Sequence, residues 1–531
     1  MKTVPFTLVT AALAVCAGLS PQASMVRAES GPSGATYQIV TVCASGSMTV
    51  RADATAVGGS GDISFDVVAG GTTRPLTVPR GGRTNYTVEG RVARLARVSV
   101  FEGSTAIADA LLTDICPPAT NSAFGVPSKF VPMTPVRVLD TRPQSLVNFA
   151  ADKPGAGQST ILTMAGKFGI ALDATAVVLN LTATETDGPG FVQAYPVLLT
   201  KPGSTSNVNI ERAGQTIANT AVVPLGFLGA IGLFTSTGTH LVVDVAGYFA
   251  PASFIAQAGI YVSADGRLKS VTPTRVFDTR TDSALQYKGR KPTAGTTIEF
   301  AALPNQLFPD FRSPINMPQP SLVGSVILNV TATDSSGPGF VQVAPGGALV
   351  PGAASSLNLS AAKQTIANLA IVALSATGTV SIYTNTSANL IVDIIGYFTN
   401  STAGGSTGGL FVSMAPERVL DSRFESRVDG AAFDGSAGTR ALLAFDGFRI
   451  APASVIVNVT ATESKGPGFI QVGTSVIAGT FSNLNVERPD QTIANLVFGD
   501  YGNGLSQALQ FYTSGGTQIV ADIIGSFTIY T

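Results

Sequence analysis

Val178–Thr184 reads Val-Leu-Asn-Leu-Thr-Ala-Thr, and Gly188–Gln193 follows with Gly-Pro-Gly-Phe-Val-Gln. The first run is almost continuously apolar, which is typical of a central strand that is buried on both faces or lies in a sandwich core. The second predicts a tight turn into another strand, because glycine allows a positive φ and proline fixes its own φ. Both stretches therefore indicate β structure.

These stretches belong to a set of motifs that occurs three times along the chain. The opening segments are Pro135–Arg142, Pro273–Arg280 and Pro416–Arg423; the central asparagines are Asn180, Asn329 and Asn458; the glycine turns are Gly188–Phe191, Gly337–Phe340 and Gly466–Phe469; the Gln-Thr-Ile-Ala-Asn segments are Gln215–Asn219, Gln364–Asn368 and Gln491–Asn495; the closing segments are Val243–Phe249, Asp393–Phe398 and Asp522–Phe527. The set predicts three domains of one kind, which we call repeats 1, 2 and 3.

The spacing of the motifs is kept as well. The two asparagines of each repeat are 39, 39 and 37 residues apart, and the second asparagine precedes the closing aspartate by 25, 25 and 27 residues. Only the stretch after the opening aspartate varies, and it is longest in repeat 2. There Thr281–Gly324 predicts an extra loop, the kind of segment in which binding specificity varies.

The pattern of apolar runs and glycine turns within each repeat predicts an all-β chain. Six to nine strands fit into a repeat, which favours a β-sandwich or jelly roll over the alternative, a closed barrel. We place the repeats at residues 130–252, 262–400 and 410–531, with Ser401–Gly409 as a flexible linker rich in Gly, Ser and Thr.

The N-terminus predicts export. Lys2, the apolar run Phe6–Leu19 and the small residues that follow indicate a secretory signal at residues 1–28, with a membrane anchor or a lipoprotein signal as alternatives. Cleavage would leave two cysteines, Cys43 and Cys116, and a lone pair in an exported protein predicts a disulfide. Seven short strands between residues 35 and 117 predict an immunoglobulin-like sandwich at residues 29–118.

The composition excludes several classes of partner. Charged residues make up 12% of the chain, and the formal net charge is −1. No run of Lys or Arg residues supports electrostatic binding to nucleic acid or anionic lipid. No stretch of the predicted mature chain has the roughly 18 apolar residues of a membrane helix.

The motifs resemble a repeat found in exported proteins of actinobacteria and similar envelope-bearing bacteria, where copies stand in tandem or are appended to secreted hydrolases. The resemblance covers roughly residues 130–531 and implies a surface-exposed accessory module. Repeat 3 departs from it with Ser526, where the other repeats carry Tyr248 and Tyr397. The fold therefore does not require that tyrosine.

Each repeat supplies Asp, Arg, Asn, Asn and Asp at matched positions. They are Asp140, Arg142, Asn180, Asn219 and Asp244; Asp278, Arg280, Asn329, Asn368 and Asp393; and Asp421, Arg423, Asn458, Asn495 and Asp522. One hypothesis is a repeated site for Ca²⁺ or a glycan, since carboxylate and amide oxygens are hard-cation ligands. The other is a structural network of Asp–Arg pairs and asparagine-closed turns. The arginine two residues after the first aspartate favours the structural network.

The sequence predicts no enzyme. The single histidine, His240, is replaced by Asn389 and Gln518 in the other repeats, which we interpret as an exposed variable position. We expect a secreted structural or adhesive protein of the cell surface, with itself, other envelope proteins or glycans as partners. The alternative is an array of carbohydrate-binding modules, in which Phe191, Phe340 and Phe469 would stack on sugars. A core position for these phenylalanines is the favoured interpretation.

Overall fold

The computed structural model describes two compact units, Met1–Ser122 and Ala123–Thr531. The described residues are 22–30, 33–34, 36–44, 47–55, 62–69, 72–88, 95–102, 104–113, 124–145, 147–148, 153–255, 258–303, 320–423, 433, 435–443, 452–474, 478–501 and 508–529. Cys116 and most of the predicted signal lie outside them, so the disulfide and the export signal stay predictions.

The N-terminal unit is built from two antiparallel four-stranded sheets. Its strands are β1 (Gln22–Ser30), β2 (Thr36–Ala44), β3 (Ser47–Thr55), β4 (Ile63–Ala69), β5 (Thr72–Val78), β6 (Arg83–Val88), β7 (Leu95–Glu102) and β8 (Thr105–Thr113). They are ordered β1-β2-β3-β6 and β5-β4-β7-β8. Immunoglobulin sheets hold strands A, B, E, D and C, F, G. The structure thus shows a β unit of two sheets, and the immunoglobulin-like topology stays a prediction. Strand β1 spans the predicted cleavage point before Glu29.

Among its described residues, the second unit contains eight strands for each repeat. Repeat 1 has β9 (Ser128–Asp140), β10 (Gln158–Thr163), β11 (Ala176–Thr184), β12 (Gly190–Pro196), β13 (Val208–Ile210), β14 (Ile217–Pro224), β15 (Ala230–Thr235) and β16 (His240–Pro251). A hairpin of β17 (Ser253–Ile255) and β18 (Ile260–Val262) follows. Repeat 2 has β19 (Leu268–Asp278), β20 (Thr296–Ala301), β21 (Val323–Thr333), β22 (Gly339–Pro345), β23 (Leu357–Leu359), β24 (Ile366–Ala373), β25 (Thr379–Thr384) and β26 (Asn389–Thr399). Repeat 3 has β27 (Phe411–Asp421), β28 (Arg440–Leu443), β29 (Pro452–Thr462), β30 (Gly468–Gly473), β31 (Leu484–Val486), β32 (Ile493–Asp500), β33 (Leu509–Thr513) and β34 (Gln518–Thr528). The 3-10 turns Phe227–Gly229 and Pro320–Leu322 are the helical elements of the described residues.

The strand order of each repeat is that of a jelly roll. In repeat 1 one sheet follows the order β14-β11-β16-β9 and the other follows β10-β15-β12-β13. The first continues from β9 into β27-β34-β29-β32 of repeat 3, so these two repeats share one eight-stranded sheet. Counted within the repeat, strand 1 pairs with 8, 2 with 7, 3 with 6 and 4 with 5, as in a long antiparallel hairpin rolled into two Greek keys. Repeats 2 and 3 have the same order. The prediction of an all-β, sandwich or jelly-roll-like fold is confirmed.

The second unit has two kinds of apolar core. Within repeat 1, Leu179 and Leu181 of β11 point into the space between the two sheets and are fully buried. Val178 of the same strand points to the opposite face and packs in a second cluster. That cluster takes buried residues from all three repeats. The first sheet of each repeat is therefore covered on both faces, which accounts for its continuous apolar runs.

The second cluster, which we call the axial core, is centred on phenylalanine rings. Its phenylalanines are Phe130 and Phe249 of repeat 1, Phe398 of repeat 2, and Phe411 and Phe527 of repeat 3, and the half-buried Phe498 of repeat 3 packs against them. Neighbouring centroids lie between 4.3 and 6.5 Å apart. Burying one such side chain contributes roughly 1.5–3 kcal/mol. The axial core therefore makes the three repeats one body.

The closing motif requires its glycine for this packing. A Cβ at Gly247 would lie 2.5 Å from the ring of Phe130, and one at Gly525 would lie 2.6 Å from the ring of Phe411. Both distances are shorter than any real carbon contact. The glycine thus allows the phenylalanine of the opening strand to lie directly against the closing strand.

The segment Ser401–Gly409 is held by hydrogen bonds, so its interpretation as a flexible linker was wrong. Ser406 forms an isolated β-bridge with Ser263, and the Arg267 guanidinium donates to the carbonyl of Gly404 at 2.6 Å. The amide of Leu268 donates to the carbonyl of Gly409 at 2.8 Å. The connection between repeats 2 and 3 is consequently part of the packed unit.

Candidate functional site

The first part of the repeated polar set is an ion-pair network inside each repeat. In repeat 1 the buried Asp140 carboxylate accepts hydrogen bonds from Arg142 Nε at 2.9 Å and from Arg142 Nη2 at 2.7 Å, and it also accepts the Arg142 backbone N–H. Such two-pronged pairing is among the stronger hydrogen bonds in proteins. Asp278 with Arg280 and Asp421 with Arg423 repeat it.

A second arginine, which the sequence analysis missed, joins the two aspartates of a repeat. Arg137 donates from Nε and Nη2 to the Asp244 carboxylate at 2.9 and 3.1 Å, and its Nη1 lies 3.3 Å from Asp140 Oδ2. Arg275 and Arg418 occupy the same place in repeats 2 and 3. The signal was present in the opening motif, since an arginine precedes the aspartate by three residues in every repeat.

The two aspartates are perturbed in opposite directions. Burial raises the pKa of Asp140, but the hydrogen bonds and charge of Arg142, with Arg137, outweigh burial, so its pKa is lowered. The pKa of Asp278 is lowered for the same reasons. Asp244 is more deeply buried, and desolvation raises its pKa despite the hydrogen bonds from Arg137. Burial raises the pKa of Asp522 in the same way.

This geometry favours the structural alternative over a cation site. The guanidinium of Arg137 lies between the carboxylates of Asp140 and Asp244, where a bound cation would need to sit. In the part of the chain that the structure describes, no group of three or more His, Cys, Asp or Glu side chains could hold a metal ion.

The asparagines form the second part of the set, and they lie between repeats. Asn180 Nδ2 donates to the carbonyl of Ser355 in repeat 2 at 2.5 Å. Asn329 donates likewise to Ser482 in repeat 3 at 2.8 Å, and Asn458 donates to Ser206 in repeat 1 at 2.6 Å. Repeat 1 thus bonds to 2, 2 to 3 and 3 back to 1. We call the three interfaces seams 1/2, 2/3 and 3/1.

The second asparagine of each repeat completes the same seams. Asn368 Nδ2 lies 3.5 Å from Asn180 Oδ1, Asn495 Nδ2 lies 3.2 Å from Asn329 Oδ1, and Asn219 Nδ2 lies 3.2 Å from Asn458 Oδ1. Each also donates to a carbonyl of its own repeat, at Ser356, Asn483 and Asn207. The five matched positions therefore separate into an ion-pair network within each repeat and an asparagine pair at each seam.

The ring of seams is not fully symmetric. The amide of Thr220 donates to Asn368 Oδ1 and that of Leu369 donates to Asn495 Oδ1, both at 3.1 Å. The third oxygen, Asn219 Oδ1, is buried without a hydrogen-bond partner among the described residues. Among the described residues, seams 1/2 and 2/3 thus each have a backbone N–H bound to an asparagine Oδ1, and seam 3/1 lacks this bond.

Acidic side chains also differ among the seams. At seam 3/1, Glu211 accepts the backbone N–H of Thr492 at 3.0 Å and pairs with Arg488 at 2.9 Å. At seam 2/3, Glu487 accepts the backbone N–H of Thr365. At seam 1/2 the matched position is Ser360, which accepts from Arg212 at 3.3 Å.

His240 is buried, with 7% of its surface exposed, so its interpretation as an exposed position was wrong. Its Nδ1 lies 3.0 Å from the hydroxyl of Thr141. The matched side chains make the same contact, Asn389 with Thr279 at 3.2 Å and Gln518 with Ser422 at 2.6 Å. The position varies among side chains that can all hydrogen-bond to the hydroxyl after the opening aspartate.

The phenylalanines of the glycine turns lie on the outer face of the second sheet, half-buried. Phe191 alternates along β12 with Val192, which points into the sandwich core. Phe191 packs against Phe234, Phe340 against Tyr383, and Phe469 against Tyr512. The favoured interpretation of a core position is therefore wrong for the sandwich core.

No described protein family and no curated protein matches the chain in sequence. Among the solved structures that it resembles is one described as the triple jelly roll fold and turret assembly in an archaeal virus. It is 9% identical, the match covers 78% of this chain and 92% of that one, and the TM-score is 0.14. In the described residues no helix has the length and hydropathy of a membrane span. The strand order itself assigns the jelly roll.

Proposed function

We propose that this protein is a secreted, non-catalytic structural or adhesive component of the cell surface, and that the ring of three repeats carries out this role. The observation that carries the proposal is the use of the repeated polar side chains. All fifteen of these Asp, Arg and Asn side chains make intramolecular hydrogen bonds, either within a repeat or across a seam. Side chains that are hydrogen-bonded in this way stabilise the ring, and few of their donors and acceptors are left to act on a substrate.

The contacts of His240 support the non-catalytic part of the proposal. An essential general base cannot be exchanged for an amide, because asparagine and glutamine have no proton-accepting nitrogen near neutral pH. In this ring the matched Asn389 and Gln518 make the same hydrogen bond. A structural role explains all three side chains.

Export and surface location are tested in the cells that express the protein. We expect the chain in the culture medium or on the cell surface, shortened at its N-terminus. The surface-bound fraction should be degraded by an external protease while the washed cells stay intact. Sequencing that N-terminus locates the cleavage point relative to Glu29. Retention of the whole chain in the cytoplasm would contradict the proposal.

Assembly is tested on the exported protein by light scattering and negative-stain imaging over a concentration series, with and without Ca²⁺. Filaments or sheets are expected from a structural component that polymerises. A single particle at every concentration would favour the adhesive form of the proposal, and it would direct the search to a partner.

A further inference from the structure

The outer face of the second sheet carries the same aromatic pair in all three repeats. The ring centroids lie 5.9 Å apart for Phe191 and Phe234, 5.8 Å for Phe340 and Tyr383, and 6.1 Å for Phe469 and Tyr512. The angles between the rings are 44°, 46° and 49°. Each side chain is half-buried, so part of each ring faces solvent. Near-identical geometry in three diverged copies indicates a preserved surface feature.

An exposed proline precedes each pair in sequence. Pro189, Pro338 and Pro467 lie in the glycine turn two residues before the phenylalanine, and all three are exposed. The turn also needs its second glycine, since a Cβ at Gly190 would lie 2.6 Å from the hydroxyl of Ser236. The turn therefore places an exposed proline immediately before the strand that carries the phenylalanine.

The polar groups that border the pair are uncharged. Asn209 lies opposite Phe191 in the β12–β13 register, and Ser236 accepts the backbone N–H of Phe191 at 2.8 Å. In repeat 2 the corresponding residues are Asn358 and Asn385, and in repeat 3 they are Asn485 and Ser514. Amides and hydroxyls beside flat apolar rings match a ligand with C–H faces and neutral hydroxyl groups.

We infer that the three outer faces are binding sites for a neutral polysaccharide, which stacks a sugar on each aromatic pair and hydrogen-bonds to the neighbouring amide and hydroxyl. The inference rests on the proposed function, because it names the partner class of the same surface protein. Aromatic rings with residual exposure supply the apolar contact that sugar rings need. The low charge of the chain leaves no field that would select an anionic polymer.

The seams give the three sites a fixed arrangement. Asn458 of repeat 3 donates to the carbonyl of Ser206, whose hydroxyl in turn accepts from Asn209 beside the first aromatic pair. Repeat 2 has the matching link, since the Ser355 hydroxyl donates to Asn358 and the Ser355 carbonyl accepts from Asn180 of repeat 1. The sites of repeats 1 and 2 are thus bonded to residues that form a seam. A polysaccharide network presents many sugars, so we expect several of the three sites to be occupied at once, with weak single contacts combining through a high effective concentration.

The test is affinity electrophoresis of the full-length protein in gels that contain soluble polysaccharides. The probes are four neutral polymers (a β-glucan, a mannan, a galactan and an arabinan) and anionic polygalacturonate. We expect retardation by at least one neutral polymer and none by polygalacturonate. The triple variant Phe191→Leu, Phe340→Leu and Phe469→Leu keeps apolar volume without a flat ring, and it should lose the retardation. A single variant should weaken it several-fold.

The matched control is Phe254→Ser, which removes an aromatic ring with 55% exposure from the β17–β18 hairpin. It should leave the retardation unchanged, and circular dichroism should show all variants folded. If the folded triple variant is retarded like the wild type, or if no neutral polymer retards the wild type, the inference is overturned. The surface location in cells is measured separately, so its failure is distinguishable from failure of this inference.

Discussion

Replacement of Phe249 by alanine should separate the stability of the ring from the stability of one repeat. Phe249 is fully buried in the axial core. Its ring lies 4.3 Å from Phe411, 5.4 Å from Phe130 and 6.1 Å from Phe398, so it contacts all three repeats. A Phe→Ala change at such a position costs about 3–5 kcal/mol. Most of that loss should fall on the association of the repeats.

The matched control is Phe277→Ala. Phe277 is also fully buried, but its ring neighbours, Tyr287 and Phe300, belong to the sandwich core of its own repeat. The cost should be similar, about 3–5 kcal/mol, yet it should fall on the folding of repeat 2. The two variants thus differ in where the cavity lies and hardly in its size.

The assay cuts the chain between repeats 2 and 3. A protease site inserted after the exposed Thr402 allows the full-length protein to be nicked, and size-exclusion chromatography then shows whether the fragments stay together. Nicked wild type and nicked Phe277→Ala should elute as one particle. Nicked Phe249→Ala should dissociate at protein concentrations about a hundred- to a few thousand-fold higher, since each 1.4 kcal/mol is a factor of ten.

Dissociation of the nicked wild type at micromolar concentration would refute the reasoning, because the axial core would then not hold the ring. Equal behaviour of the two variants would refute it as well, since the loss would not be specific to the axis.

Three further variants test the glycine turn, a seam and the ion-pair network. Gly190→Ala should lower the free energy of unfolding by about 1–3 kcal/mol through a clash at the turn, whereas Gly188→Ala should be tolerated, since its Cβ would have no contact closer than 3.8 Å; urea unfolding compares them. Glu211→Gln should cost less than about 1 kcal/mol, because Arg488 is half exposed, and the difference should vanish in molar salt. Asp278→Asn should destabilise by about 2 kcal/mol near neutral pH, and its deficit should shrink as the pH falls below 3.8, the ordinary value for aspartate.

The sign of the pH effect follows from the lowered pKa of Asp278. A carboxyl whose pKa is lower in the folded state stabilises the fold above its unfolded value, and that contribution is lost as the pH falls through the folded value. A deficit that stays constant down to pH 2 would show that the arginine hydrogen bonds do not depend on the charge. Equal unfolding of Gly190→Ala and Gly188→Ala, or a salt-independent loss in Glu211→Gln, would contradict the other two predictions.

The repeats and their β fold could be predicted because both depend on sequence patterns that are local along the chain. Continuous apolar runs, glycine turns and constant spacing indicate strands whatever surrounds them. The pairing of Asp140 with Arg142 was also within reach, since the two residues are neighbours along one strand end. The bridging Arg137 was missed because only the fold brings it to Asp244, 107 residues later.

The ring could not be derived from one repeat, because its bonds join distant residues. The Asn458 side chain meets the carbonyl of Ser206 across 252 positions in sequence. One signal was available nonetheless. A sandwich buries only one face of each sheet, yet Val178 and Leu179 show that β11 is apolar on both faces. An apolar second face on a predicted sandwich strand requires a cover, and two sister repeats were the obvious candidates.

The closure of three repeats within one chain has a consequence for how the body can meet a partner. A ring of three identical chains must repeat every substitution three times, so a partner can dock on it in three equivalent ways. Here the Arg488–Glu211 pair occurs at one seam, and repeat 2 carries Ser360 and Ala361 at the matched positions. A single chain can thus carry a side-chain pair at one seam of a nearly threefold ring. A partner that recognises this pair binds the ring in one orientation only.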